Sequence, residues 1–364
     1  MAQPLAGLLV LDFTTLLPGP LATLMLAEAG AEVLKIERPG GEEMRAMAAQ
    51  WDASSAAFAM LNAGKKSLVV DLKADDDRAK LMPLVARADI LVEQFRPGTM
   101  ARLGLDYDTL RRVNPRLIYC SISGYGQTGP RAHEAGHDLN YIGATGLLAL
   151  QPGPAETPVV PPALIADIGG GSLPAMINIL LALRQRDATG AGCHLDIAMA
   201  DAMFTFAPFA LTQGLAGGRF PEAGEMPLVG GSPRYRLYPT KDGKLVACAA
   251  LEQKFWVAFT AAVALDVAVG ADAVAARIRE HTADEWRPVL AAADCCVTIV
   301  ASLDQALRDP HFVQRGLFAH RLALGGGTIP ALPLPLAPEF RAPVDDARTT
   351  PPLGADSASY LGKI

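Results

Sequence analysis

Short apolar runs alternate with helical segments along the first half of the chain, and this alternation restricts the fold more than any other feature. The run 8–13 leads through Pro18-Gly19-Pro20 into a helical pattern at 21–29, and a second apolar run follows at 31–37. A strand, a helix and a strand in this order form a βαβ unit. The same rhythm predicts strands at 67–72, 90–93 and 117–123 and helices at 75–88 and 108–113. The sequence therefore predicts an α/β fold with an open, doubly wound, mainly parallel sheet.

The pattern changes after residue 203. A helix at 172–186 and a strand at 195–199 complete a predicted large domain, 1–203, and the Gly- and Pro-rich stretch 204–229 is predicted to be a linker. Asp242-Gly243 lies between two apolar runs and is a strong hairpin signal. With helices at 255–265, 271–280 and 284–292, it predicts a smaller α+β domain over 230–320. The proline-rich segment 321–364 is expected to return to the large domain.

Composition excludes several classes of partner. The net charge is −6 and the basic residues are scattered among acids, so we expect no nucleic acid partner. The five cysteines lack zinc-site spacing and are predicted to be reduced thiols of a cytoplasmic protein. No secretory signal precedes the first strand. Apolar stretches such as 173–183 are shorter than the ~18 residues that span a bilayer, so we expect no membrane association.

Cations cluster near the predicted strand ends, where open α/β sheets bind ligands. The turn after the first strand, Thr14 to Pro20, lacks Gly-x-Gly-x-x-Gly, which argues against a nicotinamide dehydrogenase. Several cations at one edge would suit a ligand that carries phosphates. The alternative is a set of solvated surface charges. The cations in question are Arg38, Lys65, Lys66, Lys73, Arg96 and Arg102.

Three titratable residues are candidates for catalysis. His137 follows a glycine-rich loop, although a histidine beside Asp138 is also typical of a structural hydrogen bond. Asp167 precedes three glycines and a serine at a helix start, where it would either cap the turn or act beside N–H groups that stabilise a developing oxyanion. Glu252 would either cap a helix or reach into a cleft between domains.

His137 also ends a string that is typical of zinc proteases. His133-Glu134-Ala135-Gly136-His137 has the required spacing, but that motif works only where one helix face carries both imidazoles. The string contains a glycine, follows a glycine-rich loop and lacks an evident third ligand. We therefore predict no metal site.

Several motifs together resemble the class III CoA-transferase (CaiB/BaiF-type) superfamily, and the resemblance extends over nearly the whole chain. The segment 136–141, Gly-His-Asp-Leu-Asn-Tyr, resembles the α-methylacyl-CoA racemase branch in particular. The other motifs are Val10-Leu11-Asp12-Phe13, Pro18-Gly19-Pro20, the segment 30–39, the segment 65–73, Phe95-Arg96-Pro97-Gly98, Gly124-Tyr125-Gly126 and Asp309-Pro310-His311-Phe312.

This resemblance implies a mechanism and a set of contacts. The racemase histidine corresponds to His137, its aspartate to Asp167, and the glutamate that partners the histidine to Glu252. The implied reaction interconverts the 2R and 2S forms of 2-methylacyl-CoA thioesters by proton transfer at C2 through an enolate, without a cofactor. An interlocked homodimer is implied as well. The implied CoA contacts are Arg38, Val70, Asp71, Leu72, Lys73, Gln94, Phe95, Arg96, Arg102, Gly136, Asp138, Asn140 and Tyr141.

Two other functions remain open. In a CoA transferase, Asp167 would attack the thioester and carry the acyl group, and His137 would have no required role. The second alternative is a non-catalytic CoA-binding or scaffold protein, which would keep the fold but lack the chemistry. The acyl chain itself is not specified by the sequence.

Overall fold

The computed structural model describes residues 3–47, 49–51, 54–151, 153 and 158–362. Its central feature is a sheet of six parallel strands in the spatial order β3-β2-β1-β4-β5-β6. The strands are β1 (Leu9–Asp12), β2 (Glu32–Glu37), β3 (Lys66–Val69), β4 (Ile90–Glu93), β5 (Ile118–Ser123) and β6 (Cys193–Ala198). The predicted doubly wound α/β fold is therefore confirmed, and the strand order reverses between β1 and β4.

Helices cover both faces of this sheet. β1 and β4 are buried throughout, which explains why both read as continuous apolar runs. The helices of this region are α1 (Pro18–Glu28), α2 (Ala56–Asn62), α3 (Asp75–Arg87), α4 (Thr99–Arg102), α5 (Tyr107–Leu110), α6 (Asp138–Ala144), the π-helix Ala166–Ser172, α7 (Leu173–Thr189) and α8 (Met199–Met203). Two 3₁₀ turns lie at Glu43–Ala46 and Leu148–Leu150, and a short strand pair at Gln50–Trp51 and Ser54–Ser55.

The chain divides into two compact units. The first consists of 1–145, 162–204 and 311–364, and the second of 146–161 and 205–310. The second unit holds an antiparallel sheet in the order β9-β8-β7, made of β7 (Tyr235–Pro239), β8 (Leu245–Ala249) and β9 (Val297–Ile299). Its helices are α9 (Pro208–Gly217), α10 (Gln253–Ala262), α11 (Ala271–Ile278), α12 (Ala283–Ala293) and α13 (Leu303–Leu307). The stretch 204–229, predicted as a linker, thus includes α9, and its residues 205–229 belong to this unit.

The C-terminal segment belongs to the first unit. It begins with α14 (Pro310–Gln314), continues through the hairpin β10 (Arg321–Leu324) and β11 (Gly327–Pro330), and ends with α15 (Ser357–Leu361). Near its end, Asp356 and Ser357 accept hydrogen bonds from backbone N–H groups of Ser67 and Val69, both at 3.0 Å. These contacts cover the edge strand β3, which would otherwise expose unpaired backbone groups.

The π-helix and α7 form one continuous helical stretch, longer than the sequence predicted. Ala166–Thr189 is long and apolar enough, by length and composition, to cross a membrane, and 44% of its most apolar window is buried within the chain. Residues such as Ala175 and Ile179 are fully buried in the first unit. The opposite side of α7 exposes Ile177 and Leu181, spaced like one face of a helix.

Candidate active site

The carboxyl ends of β1 and β4 open onto a cavity of about 490 Å³. This is the point at which the strand order reverses, where open α/β sheets bind ligands. The turn after β1 contributes Thr15, Leu16 and Pro18 to its wall. Leu16 has a φ of 60°, a strained conformation for a non-glycine residue that is concentrated at functional sites. The other lining residues come from 94–97, 122–124, 132–137, Asn140, Tyr141, Asp167 and Met199.

His137 lies directly before α6 and lines this cavity. Its backbone is extended, and its N–H donates to the Asn140 side chain at 3.0 Å, which fixes the first turn of the helix. The Tyr141 hydroxyl donates to the Gly136 carbonyl. A Cβ at Gly124 or Gly136 would collide with the Tyr141 ring, so glycine is required at both positions. Close packing of Tyr141 against Gly136 therefore fixes the position of the neighbouring His137.

The zinc-protease string does not form a helical face. Residues 133–137 lie in an irregular segment before α6, so the two imidazoles lack the one-turn spacing that the motif needs. Across the described residues, no group of three or more potential ligands could hold a metal ion.

Asp138 links the histidine segment to Asp167. Its carboxylate accepts the N–H of Ala166 at 2.7 Å and that of Asp167 at 2.9 Å. The N–H of Ile168 is bonded to the carbonyl of Leu164. The N–H groups of Asp167 and Ile168 are therefore occupied and are not available to an enolate oxygen. The expected oxyanion site in the turn near Asp167 stays a prediction for the other N–H groups of that turn. Asp138 is buried and acts as a positioning group here, since it does not line the cavity.

Asp167 stands in the first turn of the π-helix and lines the cavity. π-Helical turns are rare and often mark functional sites. Two of the three glycines that follow permit tight packing there: a Cβ at Gly170 would meet the carbonyl of Met199, and one at Gly171 would meet Pro18. Close backbone packing at these glycines therefore fixes the position of the Asp167 carboxyl group.

The electrostatic setting of Asp167 suits proton exchange. Burial, reinforced by the negative charge of Asp138, raises the pKa of Asp167 to about 6, although His137 acts in the opposite direction. Burial and the nearby Asp167 likewise raise the pKa of Tyr141 to about 12, so its hydroxyl keeps its proton at neutral pH. A carboxyl group with a pKa near the working pH is able both to accept and to donate a proton.

The predicted CoA contacts fall into three groups. Gln94, Phe95, Arg96, Gly136, Asn140 and Tyr141 line the 490 Å³ cavity. Arg38, Val70, Asp71, Leu72, Lys73 and again Phe95 line a second cavity of about 280 Å³ beside it. Arg102 and Asp138 form the third group and line neither of these cavities. Arg102 lies on α4 and donates to Thr99 at 3.0 Å, and Asp138 is buried.

Two lysines among the cations assigned to ligand binding are held by acidic partners of the first unit. Lys65 is fully buried and donates to Asp12, Thr23 and Asn62 at 2.8–3.0 Å. Lys66 donates to Glu32 and to Tyr360. Lys65 therefore cannot join a phosphate-binding group, and the part-exposed Lys66 is already paired with Glu32. Asp12, at the end of an apolar strand, was the sequence signal for a buried partner of Lys65.

Glu252 belongs to the second compact unit. It occupies the position before the first turn of α10, where its backbone carbonyl accepts the N–H of Trp256. Its exposed carboxylate makes no capping hydrogen bond in the described structure. Helix capping was one of the two roles that the sequence suggested for Glu252, and its side chain does not perform that role.

Fold and site together define an α/β protein whose cavities lie where such folds bind nucleotide-bearing ligands, with an imidazole and a carboxyl group at one of them. Residues 5–357 match CoA-transferase family III. The chain belongs to this family and is an enzyme of the class III CoA-transferase family.

Relatives within the family catalyse two kinds of reaction. The chain is 35% identical to an α-methylacyl-CoA racemase from Homo sapiens over 86% of its own length and 82% of the relative's. It is 31% identical to a succinate–glutarate CoA-transferase from Agrobacterium fabrum over 99% and 96% of the two chains. A CaiB/BaiF family protein from Brucella suis has the same fold, with a TM-score of 0.85, 29% identity and coverage of 99% and 98%. Family membership alone therefore does not select the reaction.

Proposed function

We propose that this enzyme interconverts the 2R and 2S forms of 2-methylacyl-CoA thioesters. The thioester carbonyl makes the C2 proton acidic, because the charge left by its removal spreads onto the carbonyl oxygen as an enolate. His137 takes the proton from one face of C2 and Asp167 returns one to the other face. In the reverse direction the two residues exchange roles.

One observation carries this proposal: His137 and Asp167 line the same cavity. A 1,1-proton transfer needs two proton-exchanging groups beside one carbon atom, whereas thioester attack by a carboxylate needs only one. The pKa of Asp167, raised to about 6 by burial, suits a group that is an acid in one direction and a base in the other. The racemase among the relatives, at 35% identity, adds support.

The test is hydrogen exchange at C2. (2S)-2-Methylbutanoyl-CoA is incubated with the enzyme in D₂O without any acceptor acid, and deuterium at C2 is followed by mass spectrometry together with the ratio of epimers. Deuterium incorporation with loss of optical purity is expected. His137→Ala should abolish the loss of optical purity, because only the face of C2 beside Asp167 can then exchange its proton. His133→Ala, a change in the same irregular segment, should retain both deuterium incorporation and epimerisation. Absence of exchange in the wild-type enzyme would refute the proposal.

A CoA transferase is the second candidate, supported by the Agrobacterium relative that spans nearly the whole chain. In that reaction the Asp167 carboxylate attacks the thioester carbonyl, which forms a mixed anhydride and releases CoA as the thiolate. The thiolate then attacks the Asp167 carbonyl, which frees the donor acid and leaves CoA on Asp167 as a thioester. The acceptor carboxylate displaces CoA to form a second anhydride, and CoA attacks the acceptor carbonyl of that anhydride, which yields the new thioester and restores Asp167. CoA transfer from succinyl-CoA to glutarate, unaffected by His137→Ala, would favour this candidate. Running this CoA-transfer assay beside the C2 exchange assay, on wild type and His137→Ala, separates the two functions.

We further propose that Glu252 orients His137 within an interlocked homodimer. The support is an unpaired apolar surface on each unit: Ile177 and Leu181 on α7, with 57% and 62% of their surface exposed, and Phe209 and Leu215 on α9, with 61% and 78%. Exposed apolar patches of this kind mark interaction surfaces. Leu181→Asp should yield monomers by analytical ultracentrifugation and should reduce C2 exchange in parallel, whereas Arg184→Asp tests charge alone on the same helix.

Proton transfer among His137, C2 and Asp167 balances without an electron donor or a metal ion. We therefore propose that the enzyme needs no cofactor beyond the CoA of its substrate. Its five cysteines are free thiols, which supports our proposal that it works in the cytoplasm. C2 exchange should persist after dialysis against EDTA. A loss that zinc restores would overturn this part of the proposal.

A further inference from the structure

A row of polar side chains lies on the sheet directly behind the loop that borders both cavities. Glu93 on β4, Ser121 on β5 and Asp196 on β6 are neighbours in register. Because side chains of paired residues in parallel strands share a face, all three lie on one side of the sheet. His194 is two residues before Asp196 and shares that side. Its Nε2 is 3.0 Å from the Ser121 hydroxyl.

Ring contacts and hydrogen bonds hold the row, which also borders a small cavity of about 110 Å³. The His194 ring stacks on Tyr107 with centroids 5.4 Å apart and meets Tyr119 edge-on at 5.3 Å. Asp196 accepts the N–H of Gln127 at 3.0–3.1 Å. These contacts hold the strand ends of β5 and β6 in place, and Glu93 lies at the end of the row nearest the candidate active site.

Glu93 connects this row to the loop. Its carboxylate accepts the N–H of Phe95 at 2.8 Å. Phe95 borders both the 490 Å³ and the 280 Å³ cavities. On the far side, Arg96 to Thr99 close a turn through a 3.0 Å hydrogen bond, with Gly98 at φ 81° as a type II turn requires. The loop is therefore fixed by Glu93 before Phe95 and by the Gly98 turn after it.

We propose that Glu93 is a positioning residue that holds the Phe95 backbone so that one acyl-CoA molecule can occupy both cavities. This inference rests on the proposed function. Burial raises the pKa of Glu93 to about 7, which means that keeping a carboxyl group here costs folding free energy. Hydrogen bonds from the Ser121 hydroxyl and from the Phe95 N–H offset part of that cost, and only the bond from Phe95 reaches the loop that borders both cavities.

Binding of free coenzyme A, measured by isothermal titration calorimetry, tests this role without any turnover. Glu93→Ala should raise the Kd about tenfold, the effect of losing one hydrogen bond of about 1.4 kcal/mol. Glu93→Gln keeps an oxygen that accepts the Phe95 N–H, and its Kd should stay within about threefold of wild type. At saturating thioester, the C2 exchange rate of both variants should remain within about threefold, so that the change lies in KM.

Two controls separate positioning from general destabilisation. Glu28→Ala removes another buried acid of the same unit, paired with Arg348 at 2.6 Å and His320 at 3.2 Å, and should lower Tm without changing the Kd. Gly98→Val strains the other side of the loop and should raise the Kd even if Glu93→Ala does not fold. An unchanged Kd in Gly98→Val, or equal weakening by Glu93→Gln and Glu93→Ala, would overturn the inference. Failure of the wild-type enzyme to bind coenzyme A would instead refute the proposed function.

Discussion

Two clusters of charged groups stand near the strand ends of the large sheet, and they differ in how their charges are compensated. At the end of β1, Asp12 is fully buried and accepts hydrogen bonds from Thr14, Thr23 and Lys65 at 2.5, 2.7 and 3.0 Å. At the candidate active site, Asp167 is half-buried and its nearest carboxylate neighbour, Asp138, has the same charge. One cluster is complete within the protein, while the other is open to a cavity.

The pKa values of Asp12 and Asp167 are shifted in opposite directions. Burial alone would raise the pKa of Asp12, but Lys65, Lys35 and the two threonines hold it well below its usual range. Burial raises the pKa of Asp167 to about 6, and Asp138 adds to the rise. The ionised Asp12 therefore stabilises the fold at neutral pH and loses that effect in acid. Ionised Asp167 destabilises the fold, which gains stability as the pH falls through about 6. The functional acid is thus the one whose buried negative charge is not fully compensated by cations and hydrogen-bond donors.

The largest effect is expected from Asp167→Asn. Removing one of two proton-transfer groups should slow epimerisation at C2 about 10³-fold. Thermal and denaturant unfolding should show equal or slightly higher stability above pH 6, because a poorly compensated buried charge is lost. A variant that loses stability instead would place Asp167 with Asp12 among the structural acids.

Lys65→Met should have the next largest effect, and on stability. It leaves Asp12 buried without its ion-pair partner, so the free energy of unfolding should fall by about 3 kcal/mol in urea titrations. Lys66→Met is the matched control, since its pair with Glu32 is about 40% exposed and should contribute less than about 1 kcal/mol. Similar losses in both variants would contradict the distinction between a buried and an exposed lysine.

The contrast between these lysines also shows how far the sequence could predict the structure. Strands such as 90–93 and the helix at 75–88 were predicted to within a residue or so, because apolar periodicity is local. Helix α6 and the π-helix were not predicted, since both depend on long-range contacts: Tyr141 packing on Gly124, and Asp138 binding the N–H of Ala166. The same limit applied to Lys65, whose burial depends on Asp12, 53 residues earlier.

The candidate site shows a similar division. His137 and Asp167 were named from their loops and from the family resemblance, and both line one cavity. That the N–H of Asp167 is taken by Asp138 could not be read from the sequence, because it depends on the approach of two segments 29 residues apart. Glu93 was likewise not named. Its position at the end of an apolar strand, next to Gln94 and Phe95, was the available signal.

A smaller effect, on pH dependence, should come from Asp138→Asn. In the direction in which ionised Asp167 accepts the proton, kcat/KM should fall as the pH falls through about 6. Asparagine keeps the oxygen that accepts the N–H groups of Ala166 and Asp167 but removes the like charge, so this limb should move to lower pH. The profile of C2 exchange from pH 5 to 8 measures the shift. An unmoved limb would mean that burial alone sets the pKa of Asp167.

The smallest effect is expected from Arg102→Ala, and it sharpens the comparison between groups that border a cavity and groups that do not. Arg96 lines the 490 Å³ cavity, whereas Arg102 donates to Thr99 and lines neither large cavity. Loss of a cation that contacts a CoA phosphate should raise KM about tenfold, so Arg96→Ala should do so while Arg102→Ala stays within about twofold. Initial rates of C2 exchange over a range of thioester concentrations give both values. If KM rose as much for Arg102→Ala as for Arg96→Ala, Arg102 would be a CoA contact, as the family resemblance implies. Its side chain would then have to reach the ligand from outside the cavity wall.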